Sequence, residues 1–214
     1  MMEPLPETEI IKRVLEGQKP LYELIVRRFN AQLYKIGRAY NFNHEDTQDL
    51  MQDTYVDAYK CLAQFETRAS FKTWLMRIML NHCYHKKQKF SFKNETAMDS
   101  IQENLNPMFS TSSNDGQKTI QSHELGQIIE YSLSKIPESY RMVFALREIN
   151  GLNLAETASL LEITESNVKV RLNRAKAMLR KEIEKSYSNE ELFEFNLRYC
   201  DPFTERTMQI IYDL

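Results

Sequence analysis

The chain is poor in the residues that make tight turns. Its 214 residues include 5 glycines and 6 prolines. So few argue against a sandwich or barrel of many short strands, whose turns need special backbone angles. They also fit the absence of a P-loop or dinucleotide fingerprint. The three cysteines, Cys61, Cys83 and Cys200, are too few and too scattered for a disulfide framework, as expected in a reducing cytoplasm. The formal charge is −2, so there is no overall basic footprint, and any nucleic-acid contact must sit in local basic segments. No stretch approaches the roughly 18 apolar residues that would span a bilayer, so no membrane insertion is expected. Residues Met1 to Glu9 are acidic and lack the apolar core of a secretory signal. HExxH is absent. His82 and His85 share a helix face beside Cys83, but no fourth ligand is evident nearby. No metal or other cofactor is expected. No catalytic residue is assigned, although spacing alone does not exclude a Ser, His and Asp triad.

What is abundant is helix former: Leu, Glu, Lys, Arg, Met and Gln. The expected fold is all-α, two small helical domains joined by a flexible linker and followed by a short helical tail. Over residues 1–92 the apolar period gives four helices. Their stripes are Ile10, Ile11, Val14 and Leu15; then Leu21, Ile25, Phe29, Leu33, Ile36 and Tyr40 after Pro20; then Leu50, Thr54, Ala58 and Leu62, capped by Asn43; then Trp74, Leu75, Ile78 and Met79 from near Ser70. Gly37, near the end of the second stripe, is tolerated at some cost. Periodicity then stops. Residues 93–121 are rich in Asn, Ser, Thr and Gln with a charge of −2, and read as a linker. The second domain, 122–186, begins with a face of Leu125, Ile128, Ile129 and Leu133. Pro137 opens the next helix and Gly151 ends it. Asn153 with Glu156 resembles a capping box. Thr164 caps a long last helix that buries Val168, Leu172, Ala175, Leu179 and Ile183. Short helix, three-residue turn and long helix make a helix-turn-helix pattern, with Glu162 where many such turns have Gly. Residues 187–214 form an acidic, aromatic extension.

Three segments suggest chemistry. The last helix carries a charge of +4 between Glu165 and Lys185, with its anions at the ends. Ser166, Asn167, Lys169, Val170 and Arg174 point away from the buried stripe, where they can reach base edges in a major groove. Arg171, Lys176 and Arg180 are better placed for phosphates. The fourth helix and the loop before it interleave Phe65, Phe71, Trp74 and Tyr84 with Arg68, Lys72, Arg77 and Asn81. Aromatics stack unpaired bases and cations follow a single strand's backbone, though on spacing alone Phe71 and Trp74 read first as core. The third helix has an acidic strip, Asp46, Asp49, Asp53 and Asp57, with Gln52 and Val56 beside it. Such a strip repels nucleic acid. It is either a solvated face or a surface for a basic protein.

The run Asp46-Thr47-Gln48-Asp49-Leu50-Met51-Gln52-Asp53-Thr54-Tyr55 resembles the core-polymerase-binding segment of bacterial sigma factors. Phe71-Lys72-Thr73-Trp74-Leu75-Met76-Arg77-Ile78 with Asn81 resembles their promoter-melting segment. Ile136-Pro137-Glu138-Ser139-Tyr140-Arg141, the stretch Gly151–Ala158, and Val168–Lys176 resemble their second conserved domain and its recognition helix. With two domains only, the chain looks like the compact extracytoplasmic-function (ECF) type. The resemblance implies a cytoplasmic initiation factor, not an enzyme, with core RNA polymerase, duplex and single-stranded promoter DNA, and an anti-sigma factor as partners. It implies core binding by Asp46, Asp49, Gln52, Asp53 and Val56. It implies minus-10 contacts from Phe65, Arg68, Ser70, Phe71, Lys72, Trp74, Arg77 and Asn81. Minus-35 contacts would come from Ser166, Asn167, Lys169, Val170, Arg171 and Arg174. The alternative is a stand-alone helix-turn-helix regulator with an N-terminal helical sensor.

Overall fold

The computed structural model describes residues 5–93, 126–186, 204 and 206–209. The first residue of the expected linker, Lys93, is the last of a helix; the rest of that linker and most of the expected tail, with Leu125 and Cys200, lie outside the described residues. No strand occurs among the described residues. The first unit contains α1 (Glu7–Leu15), α2 (Tyr22–Ala39), α3 (His44–Lys60) and α4 (Phe71–Lys93). The second contains α5 (residues 126–134), α6 (Glu138–Phe144), α7 (Leu154–Leu161) and α8 (Glu165–Ser186).

Local signals place the boundaries. Asn43 accepts from the Asp46 amide at 2.7 Å and starts α3. The Ser70 hydroxyl accepts from the Thr73 amide at 3.1 Å and starts α4. Asn153 and Glu156 form a reciprocal capping box on α7, and Thr164 Oγ1 accepts from the Asn167 amide at 3.2 Å on α8. Each cap satisfies helix-end N–H groups that have no partner within the helix. The three-residue turn of the helix-turn-helix begins at Glu162, in the left-handed region with φ 53°.

In the first unit, α2 and α3 are locked by reciprocal bonds. Tyr22 Oη donates to the Tyr55 carbonyl and Tyr55 Oη donates to the Val26 carbonyl. The helices also approach closely where Gly37 lies against the fully buried Thr47. The expected third stripe, Leu50, Thr54, Ala58 and Leu62, is buried. On α4 the deep residues are Phe71, Leu75, Met76, Met79, Leu80 and Cys83, while Trp74 and Ile78 are half-buried. This apolar face is wider than the spacing suggested, because α4 is covered on two sides. Its second cover is the other unit.

The two units pack directly on one another. Met142, Ala145, Leu146, Leu152 and Leu160 of the second unit belong to the same apolar cluster as Leu75, Met76, Met79 and Leu80 of the first. On α5 the expected face is only partly followed. Leu133 is buried, but Ile128 and Ile129 are half-buried, and Glu130 and Ser132 are buried beside Leu133. The cause is Arg38 on α2, whose guanidinium meets the Glu130 carboxylate at 2.6 Å. Arg141, also buried, donates to the Ala39 carbonyl across the interface and to the Ser134 and Ile136 carbonyls at 3.1 and 2.7 Å. The chain between α6 and α7 passes through a π-helical turn, Ala145–Ile149, which ends with the Asn150 amide bonded to the Ala145 carbonyl at 2.9 Å.

Candidate nucleic-acid and partner interfaces

The acidic strip of α3 divides into two pairs. Asp46 is bound by Lys86 Nζ at 2.6 Å. Asp57 faces His82 Nε2 at 3.1 Å and Lys60 Nζ at 3.3 Å. Asp49 and Asp53, by contrast, are exposed and have no ion pair or hydrogen bond among the described residues, nor has Gln52. Val56 completes the ridge, with 45% of its surface open to solvent. Positions 49, 52, 53 and 56 follow helical spacing, so these side chains form one face. A free double carboxylate ending in an exposed apolar side chain suits a basic protein groove with an apolar floor.

The loop before α4 and its first turns form an aromatic nest. Phe65 lies edge-on to Phe71 with ring centroids 5.3 Å apart, and Trp74 is 5.4 Å from both. Phe71 is 3% exposed and serves the core, while Phe65 and Trp74 are half-buried and form the accessible rim. Arg68 is exposed and pairs with Glu66 at 2.6 Å. Ser70 is spent on capping. Asn81 is exposed. Lys72 and Arg77 are both engaged by the second unit. Lys72 Nζ donates to the Asn150 carbonyl, and Arg77 Nη2 donates to Ser159 Oγ at 2.8 Å. Thr73, which the sequence did not single out, donates to Glu156 Oε1 at 2.9 Å. Its only sequence signal is its place between Lys72 and Trp74.

On α8 the arrangement is open. Ser166, Lys169, Val170 and Arg174 are exposed, and Val170 has 45% of its surface free. Arg171 Nε donates to Asn167 Oδ1 at 3.0 Å, holding both against the helix. Arg174 Nη1 lies 3.4 Å from Tyr140 Oη. Val168 and Ala158 are buried together where α7 and α8 cross; the small Ala158 permits the close approach. The exposed row has long donors and one apolar contact near the helix N-terminus, the chemistry that base edges require.

No group of three metal-capable side chains occurs among the described residues, and His82 is occupied by Asp57. No described helix is long and apolar enough to cross a membrane.

Comparison with known proteins agrees in order and extent. Residues 25–91 match the family model Sigma-70 region 2, and residues 126–179 match Sigma-70, region 4, together more than half of the chain. The chain is 26% identical over 187 residues to the ECF RNA polymerase sigma-E factor of Haemophilus influenzae, covering 86% of this chain and 98% of that protein. It is 29% identical over 180 residues to the ECF RNA polymerase sigma factor SigW of Bacillus subtilis, covering 81% and 94%. Among solved structures, the sigma factor RpoE of Bartonella quintana, in complex with the anti-sigma factor NepR, superposes with a TM-score of 0.62. That pair is 18% identical, with 76% of this chain and 96% of the other covered. CnrH, in complex with the cytosolic domain of CnrY, gives a TM-score of 0.57 at 21% identity, covering 83% and 97%. These structural likenesses concern the fold.

Proposed function

We propose how the work is divided within this chain, which belongs to the sigma-70 family and is a sigma initiation factor of the ECF type. The first unit, 1–92, holds core RNA polymerase through α3. It takes the minus-10 strand on the loop before α4 and on α4 itself. The second unit, 122–186, reads the minus-35 duplex with α8. Residues 93–121 tether the two, and 187–214 extend the second.

The observation that carries this reading is the ridge Asp49, Gln52, Asp53 and Val56. The reading as a stand-alone regulator leaves this face, whose carboxylates are unpaired while their neighbours Asp46 and Asp57 are satisfied within the fold, without a partner. Phe65 and Trp74 offer aromatic edges for an unstacked base, with Arg68, Lys72, Arg77 and Asn81 around them for the backbone. A base drawn out of a duplex costs a few kcal/mol, which stacking and charge must offset. On α8, Ser166, Asn167, Lys169, Val170 and Arg174 address base edges, and Arg171, Lys176 and Arg180 the phosphates. The chain works as a polymerase subunit rather than as an enzyme, in the cytoplasm where polymerase and promoters are. Its partners are core polymerase, promoter DNA and an anti-sigma factor of the kind that the Bartonella relative's structure names.

The test is transcription by core polymerase, with and without the chain, from a library of randomised promoters. The expected result is chain-dependent transcripts from templates sharing two elements. Tight sequence-specific duplex binding without polymerase, and no stimulation with it, would contradict the reading.

A further inference from the structure

α8 carries three arginines, Arg171, Arg174 and Arg180, and one of them is tethered from outside the helix. Arg171 Nε donates to Asn167 Oδ1 at 3.0 Å and Arg180 Nε to Glu184 Oε1 at 2.7 Å, so both are held from α8 itself. Arg174 Nη1 donates instead to Tyr140 Oη on α6, at 3.4 Å. Tyr140 is itself well fixed. It stands in the first turn of α6, where its amide is bonded to the Pro137 carbonyl at 3.0 Å. Its neighbour Arg141 is buried and donates to the Ser134 and Ile136 carbonyls, which pins the start of the helix. One turn on, Val143 is fully buried in one cluster with Val168 of α8. Positions 140 and 143 share a helix face, so the half-buried Tyr140 lies on the face of α6 turned toward α8. A tyrosine has two side-chain torsions, and holding its hydroxyl in place costs little entropy.

The tether leaves a reading fork free. A guanidinium has five N–H donors in one plane, and the phenol oxygen accepts one of them. Arg174 is exposed, and its remaining donors include a complete parallel pair. Such a pair is what O6 and N7 of a guanine accept in a major groove. The plane of the fork has to match the plane of the base, a demand that simple attraction to a phosphate does not make.

We infer that Arg174 reads a guanine of the minus-35 element and that Tyr140 is the positioning residue that sets its guanidinium plane, so that a side chain outside the recognition helix determines specificity at one base pair. The inference deepens the reading of α8 as the minus-35 helix and rests on it. The fork is set before DNA arrives, and preorganisation of this kind cuts the ordering cost of binding. It serves the matching base alone: a base without the two acceptors gains nothing from an aligned fork. Loss of the tether therefore acts on discrimination rather than on overall attraction to the duplex.

The test uses the full chain with core polymerase on a promoter library randomised over the minus-35 element, read by sequencing the transcripts. The wild-type chain should favour guanine at one position about tenfold or more over the other bases. Tyr140→Phe, which removes only the hydroxyl, should lower that preference about threefold or more and leave the preferences at the other minus-35 positions as they were. Arg174→Lys keeps the charge and has no fork. It should lose the guanine preference, and adding Tyr140→Phe to it should change nothing further. A guanine preference that survives Tyr140→Phe would overturn the proposal. So would a Tyr140→Phe loss spread equally over all sequences, a Tyr140→Phe effect that persists beside Arg174→Lys, or a minus-35 preference that Arg174→Lys leaves intact at every position. A wild-type chain that drives transcription with no minus-35 preference at all would contradict the reading of α8 itself, and the proposal with it.

Discussion

Arg38 and Glu130 are 92 positions apart in sequence and form an ion pair whose side chains are 6% and 11% exposed. A buried pair of this kind fixes geometry more than it stabilises, because both charges lose water. Removing one partner leaves the other charge buried, at a cost of about 3–5 kcal/mol while the units stay docked. Undocking of the two units would relieve that cost. Glu130→Ala should therefore speed amide exchange around Ala39–Phe42 and α5 with little loss of helix content. Arg38→Met/Glu130→Leu should exchange more slowly than the single variant. Exchange mapping by mass spectrometry checks both.

Gly37 is required by proximity rather than by backbone angle. A Cβ there would meet Thr47 Cγ2 at 2.5 Å and Oγ1 at 3.0 Å. Thr47 cannot easily turn aside, since it is fully buried and its hydroxyl donates to the Asn43 carbonyl at 2.7 Å. Gly37→Ala should lose about 1–3 kcal/mol through overpacking. Adding Thr47→Ser, which removes the offending methyl, should recover part of it. Urea unfolding of the wild type and of both variants measures this.

Glu162 holds φ 53° and ψ 42° at the end of α7, where a side chain is strained and glycine is not. Glu162→Gly should raise unfolding free energy by about 0.5–1 kcal/mol, with duplex affinity unchanged. A loss of stability would mean that the glutamate makes a compensating contact.

These cases show what was legible in the sequence. Caps were, because Asn43, Asn153 with Glu156, and Thr164 act within three residues of themselves. The helix-turn-helix followed from them and from the Val168 period. The pairing of the acidic strip was not: Lys86 and His82 lie on the next long helix, 40 positions after Asp46 and 25 after Asp57, and nothing local marks those two as taken while Asp49 and Asp53 stay free. Docking of the units was hidden for the same reason. Glu130 interrupts an apolar face and reads as solvent-facing until Arg38 is seen opposite, and Thr73 reads as a filler residue until Glu156 arrives.

Burial pushes the Cys83 thiol up to about 12, with nearby Lys86 opposing the shift. The folded chain therefore keeps this proton at pH values where the unfolded chain, near the ordinary 9.0, gives it up. Tyr22, Tyr40 and Tyr55 are shifted in the same direction, also by burial. Stability should be flat from neutral pH to about 9 and should fall as pH rises further, since the unfolded state then binds fewer protons. At pH 8, Cys83 should resist iodoacetamide until denaturant is added. Mass spectrometry of the labelled chain checks this.

Equilibrium binding to core RNA polymerase by the wild-type chain and by Asp49→Lys/Asp53→Lys tests the central claim most directly. Both positions are exposed and unpaired, so thermal stability should change little. If the ridge on α3 is the polymerase-binding face, the double variant should bind core at least about 100-fold more weakly, roughly 2.7 kcal/mol, while Asp57→Asn, whose carboxylate is already engaged by His82 and Lys60, should bind nearly as the wild type does. Equal binding by wild type and double variant, with both folded, would contradict the account.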